Sequence, residues 1–111
     1  MKVCKFGGSS LADAGQFEKV KQIIKADVQR VYIVPSAPGK RSADDTKVTD
    51  LLYAYHAAVS EGRDGDKVFG DLRQRFVTLR DELGLGTDIE AELDTIYNNV
   101  QNGAGVDYTV S

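Results

Sequence analysis

Lys2-Val3-Cys4-Lys5-Phe6-Gly7-Gly8-Ser9-Ser10 is the stretch that decides the fold of this chain. Residues 2–6 are short and β-compatible, and they run straight into a glycine turn. Beyond the turn, Phe17, Val20, Ile23 and Ile24 recur at helical spacing, which predicts a helix over about 13–25. Asp13, followed three residues later by Gln16, predicts a capping box at its start. Val31-Tyr32-Ile33-Val34 is an apolar run of β-branched and aromatic residues, read as a buried strand that Pro35 closes. The order strand, glycine turn, helix, strand is a βαβ unit. Residues 2–6 and 31–35 are therefore expected to be neighbouring parallel strands joined by a right-handed crossover.

Downstream the pattern turns helical. Ser36 to Lys47 is polar, contains Pro38-Gly39 and reads as a loop. A helix is expected from about Thr46 to Ser60, with Leu52, Tyr55 and Val59 on one face and Glu61-Gly62 ending it. Val68, Leu72, Phe76, Leu79 and Leu83 predict a long amphipathic helix with Gly84 at its left-handed end. Thr87-Asp88-Ile89-Glu90 reads as a capping box, opening a helix striped by Ile89, Leu93, Ile96 and Val100 and stopped at Asn102-Gly103. Two strands stand against four helices, and parallel strands normally lie in larger sheets covered on both faces. With no closing element expected at Val110-Ser111, the chain reads as the front piece of a larger α/β domain.

Composition narrows the function classes. The chain has 111 residues, 41% hydrophobic and 28% charged, an ordinary composition with room for one domain. No apolar run approaches the roughly 18 residues of a membrane span, and no membrane partner is expected. The N-terminus lacks the apolar core and cleavage site of a secretory leader, so a cytoplasmic protein is expected. Cys4 is the single cysteine, so no internal disulfide forms, and no metal site is expected. Residues 1–80 hold fourteen basic and ten acidic residues, a balance of +4; residues 81–111 hold seven acidic and no basic ones. That excess is too small and too mixed for a nucleic-acid binder, and the acidic end reads as a solvated helix face.

Chemistry concentrates in Lys5-Phe6-Gly7-Gly8-Ser9-Ser10. Between a strand and a helix, backbone N–H groups can point toward an anion, and glycines let the backbone approach phosphate oxygens. Lys5 adds a compact positive charge. A plain glycine-rich β–α connection is the alternative reading. No G-x-x-x-x-G-K-[ST] occurs, and Gly84-Leu85-Gly86 follows a helix, so it reads as a cap and turn. His56 reads as a satisfied residue at the border of an apolar face, and Cys4 as a small buried strand residue. Lys40, Arg41 and Lys47, and the Asp44-Asp45 pair, read as loop solubility and turn chemistry.

Lys5-Phe6-Gly7-Gly8-Ser9-Ser10 resembles the K-F-G-G-[TS]-S opening of aspartate kinases. Val34-Pro35-Ser36-Ala37 and then Val48-Thr49-Asp50-Leu51-Leu52 are similar to that family's V-S-A and V-T-D-L-L block. The resemblance implies an amino-acid kinase (carbamate kinase-like) fold, a parallel-sheet α/β/α sandwich, with residues 1–111 its N-terminal portion. It implies transfer of the γ-phosphoryl group of Mg-ATP to the β-carboxylate of L-aspartate, giving 4-phospho-L-aspartate, the first step toward lysine, threonine and methionine. Lys5 is the implied catalytic residue, holding the ATP phosphates with Gly7, Gly8 and Ser9, while Ser36 and Thr49 fall on the aspartate side. A homo-oligomer is implied for the full-length enzyme. The family pattern continues with an Arg/His-Gly-Glu motif that this sequence does not contain, so residues 1–111 alone are expected to show no turnover. Competing readings are another amino-acid kinase, acting on glutamate or acetylglutamate, and a non-catalytic phosphate-binding or association module.

Overall fold

The computed structural model describes residues 1–110, a mixed α/β chain in two compact units, residues 1–48 and 49–111. Strand β1 (Lys2–Phe6) leads through a short 3-10 turn, Gly8–Leu11, into helix α1 (Ala14–Lys25), which returns to strand β2 (Arg30–Pro35). The two strands pair in parallel, Cys4 opposite Ile33 and Lys5 opposite Val34, as the βαβ order requires. Asp13 caps α1, its side chain accepting from the Gln16 N–H at 2.9 Å. Phe6, Leu11 and Val20 form the core of this unit, with Cys4, Phe17, Ile24 and Ile33 packed against them.

One face of the sheet is covered and the other is not. Alternation along β1 sends Cys4 and Phe6 toward the core, while Val3 and Lys5 are exposed. The expectation of a buried β2 is corrected here: Val31, Tyr32 and Val34 are 61%, 54% and 48% exposed. Apolar composition reports that a strand favours cover, not which layer of this chain supplies it. Cys4 is likewise half-buried rather than buried.

The second unit is helical. Helix α2 (Val48–Ser60) starts two residues later than the pattern suggested, and α3 (Asp66–Leu83) two residues earlier than its first apolar marker. Gly84 ends α3 in the left-handed conformation, φ 67°, its N–H bonded to the carbonyls of Arg80 and Asp81. Asp88, not Thr87, caps α4 (Ile89–Gln101), its carboxylate accepting from the Ala91 N–H at 3.1 Å. A five-residue helix α5 (Val106–Val110) lies where no closing element was expected. Tyr55, fully buried in α2, meets Phe69 and Tyr97 with ring centroids 4.8 and 5.7 Å away. Its hydroxyl donates to the Tyr97 carbonyl and accepts from the Gln101 amide, so the buried polar atom is satisfied. His56 is half-buried, its Nε2 3.2 Å from the Ala104 carbonyl oxygen, in keeping with a boundary histidine. No helix among the described residues is long and apolar enough to cross a membrane.

Candidate phosphate-binding turn

In the turn after β1 the carbonyls of Phe6, Gly7 and Gly8 are occupied, while the N–H groups of Gly7, Gly8 and Ser9 are not. The Phe6 carbonyl accepts from the Ser36 N–H at 3.0 Å, Gly7 from Ser10 at 3.1 Å, and Gly8 from Gly39 at 2.8 Å. The N–H groups of Gly7, Gly8 and Ser9 take part in none of the turn and loop hydrogen bonds among the described residues. Gly7 holds an extended conformation (φ −74°, ψ 174°), and the 3-10 turn that follows leaves its leading N–H groups without internal acceptors. Three consecutive unspent donors at the start of a helical turn suit an anion, because dipole and hydrogen bond act in the same direction.

Lys5 sits two residues before this turn, on the open face of the sheet, and its ammonium makes no hydrogen bond or ion pair among the described residues. An exposed ammonium without a carboxylate partner keeps its charge available to a ligand. Two other basic residues of this unit, Arg41 and Lys2, are spent differently. Arg41 makes a bidentate pair with Asp45, at 2.7 and 3.0 Å, and also donates its backbone N–H to that carboxylate. The Arg41 guanidinium holds the Asp45 carboxyl well below the usual carboxylate range. Lys2 pairs with Asp27 at 2.5 Å, which lowers the Asp27 carboxyl.

Ser36 is brought to the turn, because its N–H completes the ladder onto Phe6. Lys5, Gly7, Gly8, Ser9 and Ser36 thus lie in one unit, while Thr49 lies in the first turn of α2 and belongs to the other. Gly39 is a residue that sequence reasoning passed over as part of a loop. It is buried, and an added Cβ would stand 2.6 Å from the Gly8 carbonyl carbon and 2.9 Å from the Ser9 nitrogen. The Pro38-Gly39 pair signals a turn, but nothing in the local pattern announces a contact with Gly8, thirty-one residues away. Among the described residues no cluster of three or more potential metal ligands occurs.

No protein-family model matches the chain. Aspartokinase 3 of Bacillus subtilis (strain 168) is 44% identical over 89 residues, covering 80% of this chain and 20% of that relative. The crystal structure of Clostridium acetobutylicum aspartate kinase matches with a TM-score of 0.95 at 50% identity, over 98% of this chain and 25% of that one. E. coli aspartokinase III, solved in complex with aspartate and ADP in its R-state, shares the fold with a TM-score of 0.73 at 23% identity. It covers 97% of this chain and 25% of its own. The chain spans a fifth to a quarter of the length of the relatives it matches.

Proposed function

Since this chain is a homologue of aspartate kinases over a fifth to a quarter of their length, we propose that it forms the phosphate-holding front of an aspartate kinase catalytic site. The observation that carries this reading is the turn itself, with the N–H groups of Gly7, Gly8 and Ser9 unspent while the carbonyls of Phe6, Gly7 and Gly8 are occupied. Gly7, Gly8 and Ser9 donate to the ATP phosphates, and Lys5 stands beside the transferring γ-phosphoryl group. Phosphoryl transfer asks little covalent chemistry of a protein; it needs positioned charge and donors where negative charge moves in the transition state. Magnesium enters with ATP as part of the substrate. The acceptor in this reading is the β-carboxylate of L-aspartate, the product 4-phospho-L-aspartate, and Ser36 and Thr49 are assigned to the aspartate side on resemblance. The complete α/β/α sandwich belongs to the same proposal, and it supplies the cover that Val31, Tyr32 and Val34 lack.

The test is a graft. Residues 1–111 replace the matched segment of the Clostridium acetobutylicum enzyme, and aspartate-dependent acyl phosphate is trapped with hydroxylamine. The graft is expected to turn over, and Lys5→Ala within it to lose about 10²–10³ in kcat while remaining folded. A folded Lys5→Ala graft with unchanged kcat contradicts the assignment.

A further inference from the structure

We propose that Gly39 is a positioning residue: packed against Gly8, it sets the backbone geometry of the phosphate turn without touching the phosphate. The proposal rests on the phosphate reading of that turn. Three observations converge on it. The Gly39 N–H donates to the Gly8 carbonyl at 2.8 Å, which fixes the peptide between Gly8 and Ser9 at its carbonyl end. The approach is reciprocal, since a Cβ on Gly8 would meet the Ala37 carbonyl oxygen at 3.1 Å and the Gly39 Cα at 3.2 Å. The contact is also far closer on the Gly39 side, where a Cβ would fall 2.6 Å from the Gly8 carbonyl carbon, 2.8 Å from its oxygen and 2.9 Å from the Ser9 nitrogen. All three neighbours are backbone atoms, so no side chain can swing aside. The Gly8-Ser9 peptide, which carries one of the unspent N–H groups, must move instead.

The loop around Gly39 is itself held closed. The Arg41–Asp45 pair closes one turn of it, the Asp45 N–H donates to the Ser42 carbonyl at 3.2 Å, and the Val48 N–H donates to the Pro38 carbonyl at 3.0 Å. The segment from Pro38 to Val48 therefore acts as a strut whose tip is Gly39. Its service is geometric: donors aimed at an anion lose their worth when displaced by a fraction of an ångström to an ångström.

Nuclear magnetic resonance of the ¹⁵N-labelled chain tests this, with inorganic tripolyphosphate as the probe. In Gly39→Ala, the Gly8 and Ser9 amide resonances are expected to shift while those of Val20 and Ile24 stay. Tripolyphosphate affinity is expected to fall about tenfold or more. Gly70→Ala, exposed in α3 with open space around it, is expected to leave both unchanged. Should Gly39→Ala fail to fold, Asp45→Asn carries the test, since it loosens the strut without adding an atom at the turn. A two- to threefold loss of affinity is then expected, with shifts at Gly8 and Ser9. Equal affinity in the variants and the wild type, with the wild type binding, overturns the positioning role and leaves the phosphate reading standing. A wild type that binds no tripolyphosphate overturns the phosphate reading, and the positioning role with it.

Discussion

At the scale of single residues, Lys5 and Tyr97 show what environment does to one side chain. The Lys5 ammonium is exposed and without a partner among the described residues, so Lys5→Ala is expected to leave the melting temperature of the chain within a degree or two of wild type. Its loss is read in ligand affinity and rate instead. Lys5→Arg is expected to fail as well, because a planar guanidinium fork does not replace a compact ammonium at close range. Equal function in Lys5→Arg, measured by hydroxamate formation in the graft, would contradict a point-charge role. Tyr97 is the titrating counterpart. Its hydroxyl donates to the Asp66 carboxylate at 2.7 Å, and this hydrogen bond, with lesser help from desolvation and the same negative charge, pushes the phenol up to about 12. The folded state therefore holds the phenolic proton more tightly than the unfolded state, whose phenol titrates near 10.0. The stabilisation is full below that value and is lost as the pH rises through about 12. Tyr97→Phe is expected to remove this part of the alkaline decline in stability, measured by denaturant midpoints at pH 9 and above. An unchanged alkaline profile would mean that the Asp66 contact does not hold in solution.

At the scale of elements, two glycines of α3 and its end predict opposite outcomes. Gly84 ends the helix at φ 67°, where an L side chain is strained, so Gly84→Ala is expected to destabilise the chain by about 1–2 kcal/mol. Gly70 lies exposed in the second turn of α3 with nothing near its Cβ position, and Gly70→Ala is expected to stabilise by about 0.5–1 kcal/mol. Urea denaturation of both variants checks the pair, and equal signs would contradict the helix geometry. Gly84 and Asp13 show what local pattern can carry. Gly84 followed an amphipathic stripe, and Asp13 preceded one, so both caps were readable from spacing alone. The Asp88 cap was read one residue early, since Thr87 and Asp88 are both competent and only the geometry selects between them. Helix α5 was missed because five residues offer no periodicity to read.

At the scale of the whole molecule, the βαβ unit was legible because its order admits essentially one handedness and one strand pairing. The exposure of β2 was not, since an apolar strand carries no mark of which layer covers it. Of the candidate site, Lys5, Gly7, Gly8, Ser9 and Ser36 share one unit, because they lie at the ends of paired strands. Gly39 escaped notice because its contact with Gly8 exists only after the chain folds back. Catalysis asks more than the turn provides: both reactants must be held in line, and the turn supplies donors for the phosphates alone. Residues 1–111 alone are therefore expected to bind Mg-ATP weakly and to show no aspartate-dependent release of ADP. Turnover that disappears in Lys5→Ala would contradict this.

The central claim is that the unspent donors of Gly7, Gly8 and Ser9 receive phosphate, and amide resonances report this most directly. Titrating Mg-ATP into the ¹⁵N-labelled chain should move the Gly7, Gly8 and Ser9 amide protons downfield together, along one saturating curve. Resonances that stay in place at these three positions, or that move only elsewhere in the chain, would contradict it.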